Sequence, residues 1–336
     1  MNSLERILAA VRFQPTDRTP FLPQLFGHAA VTAGIPLGDY LRDGSRLAAA
    51  QLLERRTYGT DGVFAFLDLG VETEALGSRL EYFGNRYPEV AEYALAPADD
   101  PGILTIPDPR RAGRMPEVLR ALGELRRGVG DTALVIGAVA GPMTLAAQLY
   151  GIEAALYLAM DDPGRHAAAL DLAMEVAIRY GRAQLAAGAH LVMVFDPAAS
   201  PAVVPADFFR SRLQPRLARL LAALHEAGAT ATWLNIAGPT ADILPHYADM
   251  GADIATFDYY VAPAEARRLL PHTCLVGNLK SLDCLDPAPA VIAAQARELT
   301  AAFATGGGFI LSSGCEIPPE ADAANLAALA EAARKG

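Results

Sequence analysis

A single (β/α)8 TIM barrel is the fold that the sequence predicts, and three observations carry it. Short β-favouring segments alternate with Ala/Leu/Arg-rich helical ones along most of the 336 residues, the pattern of βα units around a parallel sheet. The β-favouring segments number eight, which at this length makes a closed barrel the leading architecture. Three Gly-Ala steps, Gly188-Ala189, Gly228-Ala229 and Gly251-Ala252, stand between a helical run and a strand, where glycine ends helices. They also orient the units, because the far end of each following strand is then the catalytic face.

In chain order the strands are expected at Thr19 to Phe26, Gly62 to Asp68, Thr132 to Val139, His190 to Asp196, Ala229 to Ile236, Ala252 to Asp258, Thr273 to Asn278 and Gly308 to Ser313. Helices are expected at Ser45 to Thr57, Met115 to Arg127, Arg165 to Ala187, Pro205 to Ala227, Ala262 to Leu270 and Pro287 to Phe303. The last strand is the clearest: three glycines lead into Phe309-Ile310-Leu311, and Ser312-Ser313-Gly314 with Pro318-Pro319 stops it. Cys315 and Glu316 therefore sit at a strand's carboxyl end. The stretch Val71 to Pro107 is too long for a simple βα loop and contains the alternating Arg79-Leu80-Glu81-Tyr82-Phe83. A β-rich insertion covering the barrel mouth is expected there.

Composition narrows the function classes. With 52% hydrophobic residues, no repeat and no low-complexity linker, one domain over 1–336 is preferred to two. Lys+Arg 28 against Asp+Glu 38 gives a net charge of −10, the wrong sign for a phosphate-backbone binder. The one basic cluster, Arg110 to Arg127, interleaves with helix formers and reads as a solvated helix face. No apolar run is long enough to span a bilayer and the first residues do not form a signal peptide, so no membrane or nucleic-acid partner is expected. Three cysteines, Cys274, Cys284 and Cys315, cannot all pair, and a reducing cytoplasm fits them.

Polar residues at the strand ends are the candidate site, since barrel enzymes work at that face. They are Gln24 and His28 after the first strand, Asp68 after the second, Asp196 after the fourth, Asn235 at the fifth, Asp258 at the sixth, Asn278 and Lys280 at the seventh, and Cys315 with Glu316 at the eighth. Any one alone reads as well as a helix N-cap. Convergence from six or more strands points to a site. Phe26, Phe66, Tyr150, Tyr259 and Tyr260 are candidates to stack on a planar ring, or simply to pack.

Several motifs resemble one family in the order in which they occur. Glu5-Arg6 with Pro15-Thr16-Asp17-Arg18-Thr19-Pro20, Gly141-Pro142-Met143-Thr144-Leu145-Ala146, Asp196-Pro197 with Ser200, Gly277-Asn278 and Ser313-Gly314-Cys315 are similar to the motifs of the uroporphyrinogen decarboxylase and corrinoid-dependent methyltransferase superfamily. Decarboxylation of uroporphyrinogen implies an arginine-rich loop after the first strand, but here that loop is Pro23-Gln24-Leu25-Phe26-Gly27-His28. The zinc methyltransferases imply a His-x-Cys pair after the fifth strand and a terminal Cys, holding zinc for a coenzyme M-like thiol. The pair's place is taken by Asn235-Ile236-Ala237-Gly238, so no zinc is expected.

The chain most resembles the methylcorrinoid:tetrahydrofolate methyltransferases of glycine betaine-type demethylation systems, which share the Asn-containing fifth strand and the Ser-Ser-Gly-Cys-Glu-Ile-Pro-Pro ending. What the resemblance implies is transfer of a methyl group to N5 of tetrahydrofolate, an acceptor that needs no metal. Asp196 is then expected to pair with the pterin's amino-pyrimidinone edge and Asn235 to contact N5 or the ring carbonyl, with Asp258 or Asp68 completing the wall. Lys280 would meet the glutamate tail, Glu316 would accept a proton, and Cys315 would be an inherited residue without metal. No Asp-x-His-x-x-Gly signature is present, so the methylcobalamin or other methylcorrinoid is expected on a separate corrinoid protein that docks transiently over the mouth. A homodimer is compatible with all of this. The competing readings are a zinc-type corrinoid:thiol methyltransferase, a uroporphyrinogen decarboxylase, and a non-catalytic barrel that binds a corrinoid or pterin.

Overall fold

The computed structural model describes residues 1–286 and 288–335. Its strands are β1 (Gly62–Ala65), β2 (Arg79–Glu81), β3 (Glu89–Glu92), β4 (Leu134–Ala140), β5 (Leu191–Phe195), β6 (Trp233–Asn235), β7 (Ile254–Thr256), β8 (Cys274–Leu279) and β9 (Phe309–Ser313). Seven form one parallel, TIM-barrel-like sheet in the order β1-β4-β5-β6-β7-β8-β9. In β4 and β5 every residue is buried along apolar runs, as parallel strands are when helices cover one face and side chains fill the bore on the other.

The expected first strand, Thr19 to Phe26, is the largest departure. It is reduced to a single bridge, Phe21 opposite Leu311. Leu22 N donates to Leu311 O at 2.9 Å, Leu311 N to Pro20 O at 2.8 Å, and Asp61 N to Phe21 O at 2.8 Å. The ring thus closes between β9 and β1 through three residues, and Pro20 and Pro23, which have no N–H, cut the ladder short on either side. Asp61 is fully buried and ties this seam together: its carboxylate accepts from Arg6 Nη1 at 2.7 Å, Arg18 Nη2 at 2.9 Å and Phe21 N at 2.8 Å. The Glu-Arg and Pro-x-Asp-Arg motifs near the start are therefore scaffold.

β structure is a minor part of the insertion at 71–107. The antiparallel pair β2–β3 is its only named sheet, preceded by the helix Val71–Ala75 and followed by a 3-10 turn at Pro101–Ile103 capped by Asp100. Most of the expected helices are present, at Gly44–Tyr58, Met115–Val129, Pro163–Ala187, Pro263–Leu269 and Pro289–Ala302. Pro287, the expected start of the last, lies outside the described residues. The run from Pro205 is interrupted by a π turn at Phe209–Leu213 before Gln214–Glu226, next to Pro215, whose missing N–H removes a regular helical bond. Gly188, Gly228 and Gly251 take φ of 122°, 96° and 79°, the conformation that ends a helix cheaply only at glycine. No single helix among the described residues is long and apolar enough to cross a membrane.

Candidate active site

A cavity of about 720 Å³ opens where β1, β4, β5 and β9 end. Its walls are largely apolar: Phe66 and Phe195, with ring centroids 6.1 Å apart, face Leu80, Val90 and Tyr93 of the β2–β3 hairpin. The hairpin therefore forms one side of the mouth. Polar lining comes from Asp68, Glu89, Thr144, Gln148, Cys315 and Glu316, and no lysine, arginine or histidine is among the described lining residues. Such a cavity suits an apolar, planar ligand with a few hydrogen-bonding edges.

Glu316, half-buried just beyond β9, is held at one oxygen only. Oε1 accepts from the Tyr87 hydroxyl and from Gly27 N at 3.1 Å, whereas Oε2 accepts from no described residue. Burial pushes its pKa up to about 7, against the two hydrogen bonds, which favour the charged form. Gly27 is required at this point, because a Cβ there would lie 2.6 Å from Tyr87 Oη and 2.9 Å from Pro319 Cγ. Cys315 lines the same cavity and burial pushes its thiol up to about 11, so it is a neutral thiol at physiological pH.

The strand-end carboxylates are engaged by the protein itself. Asp196 is fully buried and accepts from Thr144 N at 2.7 Å, Thr144 Oγ1 at 2.6 Å and Met143 N at 3.3 Å, capping the helix Pro142–Tyr150 from the neighbouring strand. A Cβ on Gly141 would lie 2.3 Å from this side chain, which accounts for both the glycine and the threonine of that motif. Burial nonetheless raises the Asp196 pKa to about 6. Asp68 accepts from Arg114 Nη2 at 2.9 Å and Gly70 N at 2.8 Å, with Arg114 Nη1 on its second oxygen. Asp258, its pKa also raised by burial, accepts from Gly238 N and Tyr259 N, both at 2.7 Å. Asn278 donates to Val261 O at 2.8 Å and Asp258 O at 3.3 Å.

Deeper in the bore, Gln24 Oε1 accepts from Asn235 Nδ2 at 2.9 Å and Gln24 Nε2 donates to Ser313 O at 3.2 Å. Asn235 Oδ1 and Ser312 Oγ are buried there without a partner among the described residues. His28 lies apart from the cavity, with Nδ1 2.7 Å from Glu54 Oε1. Lys280 lines a second groove with Tyr259 and Gln295, 3.7 Å from Asp283. Among the aromatic candidates only Phe66 lines the cavity; Phe26 packs beneath it, Tyr150 donates to Asp99 O, and the exposed Tyr259 and Tyr260 stack on each other at 4.2 Å.

The structure thus brings Asp68, Cys315 and Glu316 to one cavity, and it leaves Asn278, Lys280 and His28 elsewhere. Sequence reasoning missed Tyr87 and Gln148. For Tyr87 there was no local signal, since hairpin placement is a tertiary matter. Gln148 had one: it falls one turn after Thr144 on the same helix, so the two share a face.

A thiol-activating zinc requires three or four N, S or O ligands converging on one point. The residues after β6 are Ile236 and Ala237, and among the described residues no three His, Cys, Asp or Glu side chains are grouped to hold a metal. The donor set around Cys315 does not fit zinc.

A family model described as Uroporphyrinogen decarboxylase (URO-D) matches residues 2–336. The chain is 29% identical to the Methylcobamide:CoM methyltransferase MtaA of Methanosarcina barkeri over 97% of this chain and 96% of that one. It is 30% identical to the uroporphyrinogen decarboxylase of Nocardia farcinica over 89% and 85%. Among solved structures, a methyltransferase from Methanosarcina mazei superposes with a TM-score of 0.90 at 27% identity, covering 100% of this chain and 99% of that one.

Proposed function

The chain belongs to the uroporphyrinogen decarboxylase (URO-D) family, and we propose that within it this barrel, acting as one domain over 1–336, is a corrinoid-dependent methyltransferase. The finer reading is that it moves a methyl group from a methylated corrinoid, delivered by a separate protein, to N5 of tetrahydrofolate. One observation carries this choice: the cavity has apolar aromatic walls, carboxylates and an amide at its rim, and no cation among its described lining residues. Uroporphyrinogen has eight carboxylates, and a site without arginine or lysine repels it. Coenzyme M carries a sulfonate and meets the same objection. The pterin head of tetrahydrofolate is neutral and only slightly puckered, its edge can donate to a carboxylate, and its anionic glutamate tail would stay outside the cavity.

The chemistry asked of the protein is then modest. N5 attacks the methyl carbon, the N–C bond forms as the carbon–cobalt bond breaks, and the bonding pair remains with cobalt. The proton on N5 must leave. Glu316 supports this step: Oε1 is fixed by Tyr87 and Gly27, Oε2 accepts from no described residue, and a pKa of about 7 suits an acceptor of that proton. Phe66 and Phe195 would hold the ring in a dry slot, contributing orientation more than bonding.

A relative's name favours a second reading, thiol methylation, because MtaA is a Methylcobamide:CoM methyltransferase. The two are separable. Incubated with a methylated corrinoid protein and no added metal, the enzyme should convert tetrahydrofolate to methyltetrahydrofolate, and free methylcobalamin should be a poorer donor. Metal analysis should find no stoichiometric zinc. Methylation of coenzyme M or homocysteine but not of tetrahydrofolate, together with one zinc lost in Cys315→Ser, would establish the thiol reading instead.

A further inference from the structure

We propose that Tyr87 is a positioning residue for the proton-accepting step: carried by the β2–β3 hairpin, its hydroxyl orients the Glu316 carboxylate, so that the site is complete only when the hairpin is seated over the mouth. The inference rests on the folate reading above and deepens it, because Glu316 is there the acceptor of the N5 proton.

Three separate stretches of chain meet at this carboxylate. Glu316 belongs to the loop after β9, Gly27 N comes from the turn into the short helix His28–Thr32, and the Tyr87 hydroxyl comes from the hairpin. Both donors fall on Oε1. A carboxylate turns easily about its last torsion, where the wells are broad and roughly two-fold, so one donor leaves its plane loosely set and two fix it. Oε2 accepts from no described residue and, unlike Gln148 Oε1, is not closed off from solvent. Tyr87 and Glu316 both line the cavity.

The hairpin depends on few such links. Its strands are exposed along most of their length, and among the described residues the Tyr87–Glu316 bond is the one hydrogen bond from residues 79–92 to the loop after β9. Two further hydrogen bonds, from Tyr82 Oη to Glu74 Oε1 at 2.7 Å and from Gly38 N to Gly84 O at 3.1 Å, lie away from the cavity. Space around the Tyr87 hydroxyl is tight. A Cβ on Gly27 would stand 2.6 Å from Tyr87 Oη, although Gly27 has a φ of −70° that any residue adopts. Glycine is therefore needed here for room and not for its backbone. One contact thus both walls the cavity and orients its carboxylate, which is what a seated lid contributes to a site.

The test measures steady-state turnover of tetrahydrofolate with methylcobalamin as donor, in wild type, Tyr87→Phe, Glu316→Gln and the double variant, with Gly27→Ala as an independent disturbance of the same contact. Tyr87→Phe keeps the ring that lines the cavity and loses the hydroxyl. Its kcat should fall about tenfold or more, the scale of one lost charge-assisted hydrogen bond, while KM for tetrahydrofolate stays within about twofold. Gly27→Ala should lower kcat in the same way. In the Glu316→Gln background the Tyr87 substitution should cost less than about twofold, since no carboxylate is left to position. A residue that only held the hairpin down would show the opposite split, a raised KM at unchanged kcat, with additive losses in the double variant. That pattern, or a Tyr87→Phe enzyme with kcat within twofold of wild type, overturns the role of Tyr87 and leaves the folate reading standing. A wild type that leaves tetrahydrofolate unmethylated refutes the folate reading, and this inference with it.

Discussion

The ends of β5 to β8 and the rim between the β2–β3 hairpin and the β9 loop carry similar residue types, yet their polar atoms are used differently. At the strand ends Asp196 caps a helix, Asp258 holds the backbone at Gly238 and Tyr259, and Asn278 ties the loop at Val261. At the rim, Glu316 has one oxygen that accepts from no described residue. In this barrel, then, Asp196, Asp258 and Asn278 at the strand ends chiefly hold backbone. Unused hydrogen-bonding capacity beside a cavity is the better mark of a site.

The sharpest way to break that contrast is at Arg114, which joins Asp68 and Glu74 in a buried cluster. Arg114→Met leaves both carboxylates without their cation, and removing one partner of a buried ion pair costs about 3–5 kcal/mol. Denaturant unfolding should show the loss, and Asp68→Asn in the same background should restore part of it. Retained stability with abolished methyl transfer would move Arg114 and Asp68 from scaffold to site.

Asp196→Asn is the next largest. The amide cannot accept at both oxygens from Thr144 and Met143, so about 1.5–3 kcal/mol of stability should go with the charge-assisted bonds. If Asp196 pairs with the pterin as its position suggests in the sequence, the variant should instead keep its melting temperature and lose tetrahydrofolate binding. Thermal melts and calorimetry on one sample decide between them.

Seven of the eight expected strands, most of the helices and the strand-end placement of the polar residues are legible in the sequence because they follow from local pattern: β-favouring runs, Gly at helix ends, Pro at strand stops. The reduction of the first strand to Phe21 could have been suspected from Pro20 and Pro23. What remains hidden is pairwise. Nothing near Asp196 in the sequence says that Thr144, 52 residues away, takes its carboxylate, and nothing near Glu316 points to Tyr87 on a hairpin 229 residues earlier. Gln148 escapes notice because an isolated glutamine in a helix is ordinary until the cavity beside it is seen.

The expected effect most specific to the rim is the pH dependence at Glu316. Its ordinary value is 4.5, and burial raises it to about 7 in the folded chain. The folded state therefore holds this proton more tightly than the unfolded state, so the contribution of Glu316 to stability is greatest below pH 4.5 and is lost as pH rises through about 7. Glu316→Gln removes that dependence, and the variant should gain stability relative to wild type between pH 5 and pH 8. Methyl transfer should move the other way. Wild-type turnover should rise through about pH 7 as Oε2 becomes able to take the N5 proton, and the variant should be slower by roughly 10²–10⁴-fold with that limb absent. A variant with unchanged turnover and the same pH profile would show that the free oxygen at the rim does not take part in the chemistry, and the contrast between the two regions would then reduce to packing alone.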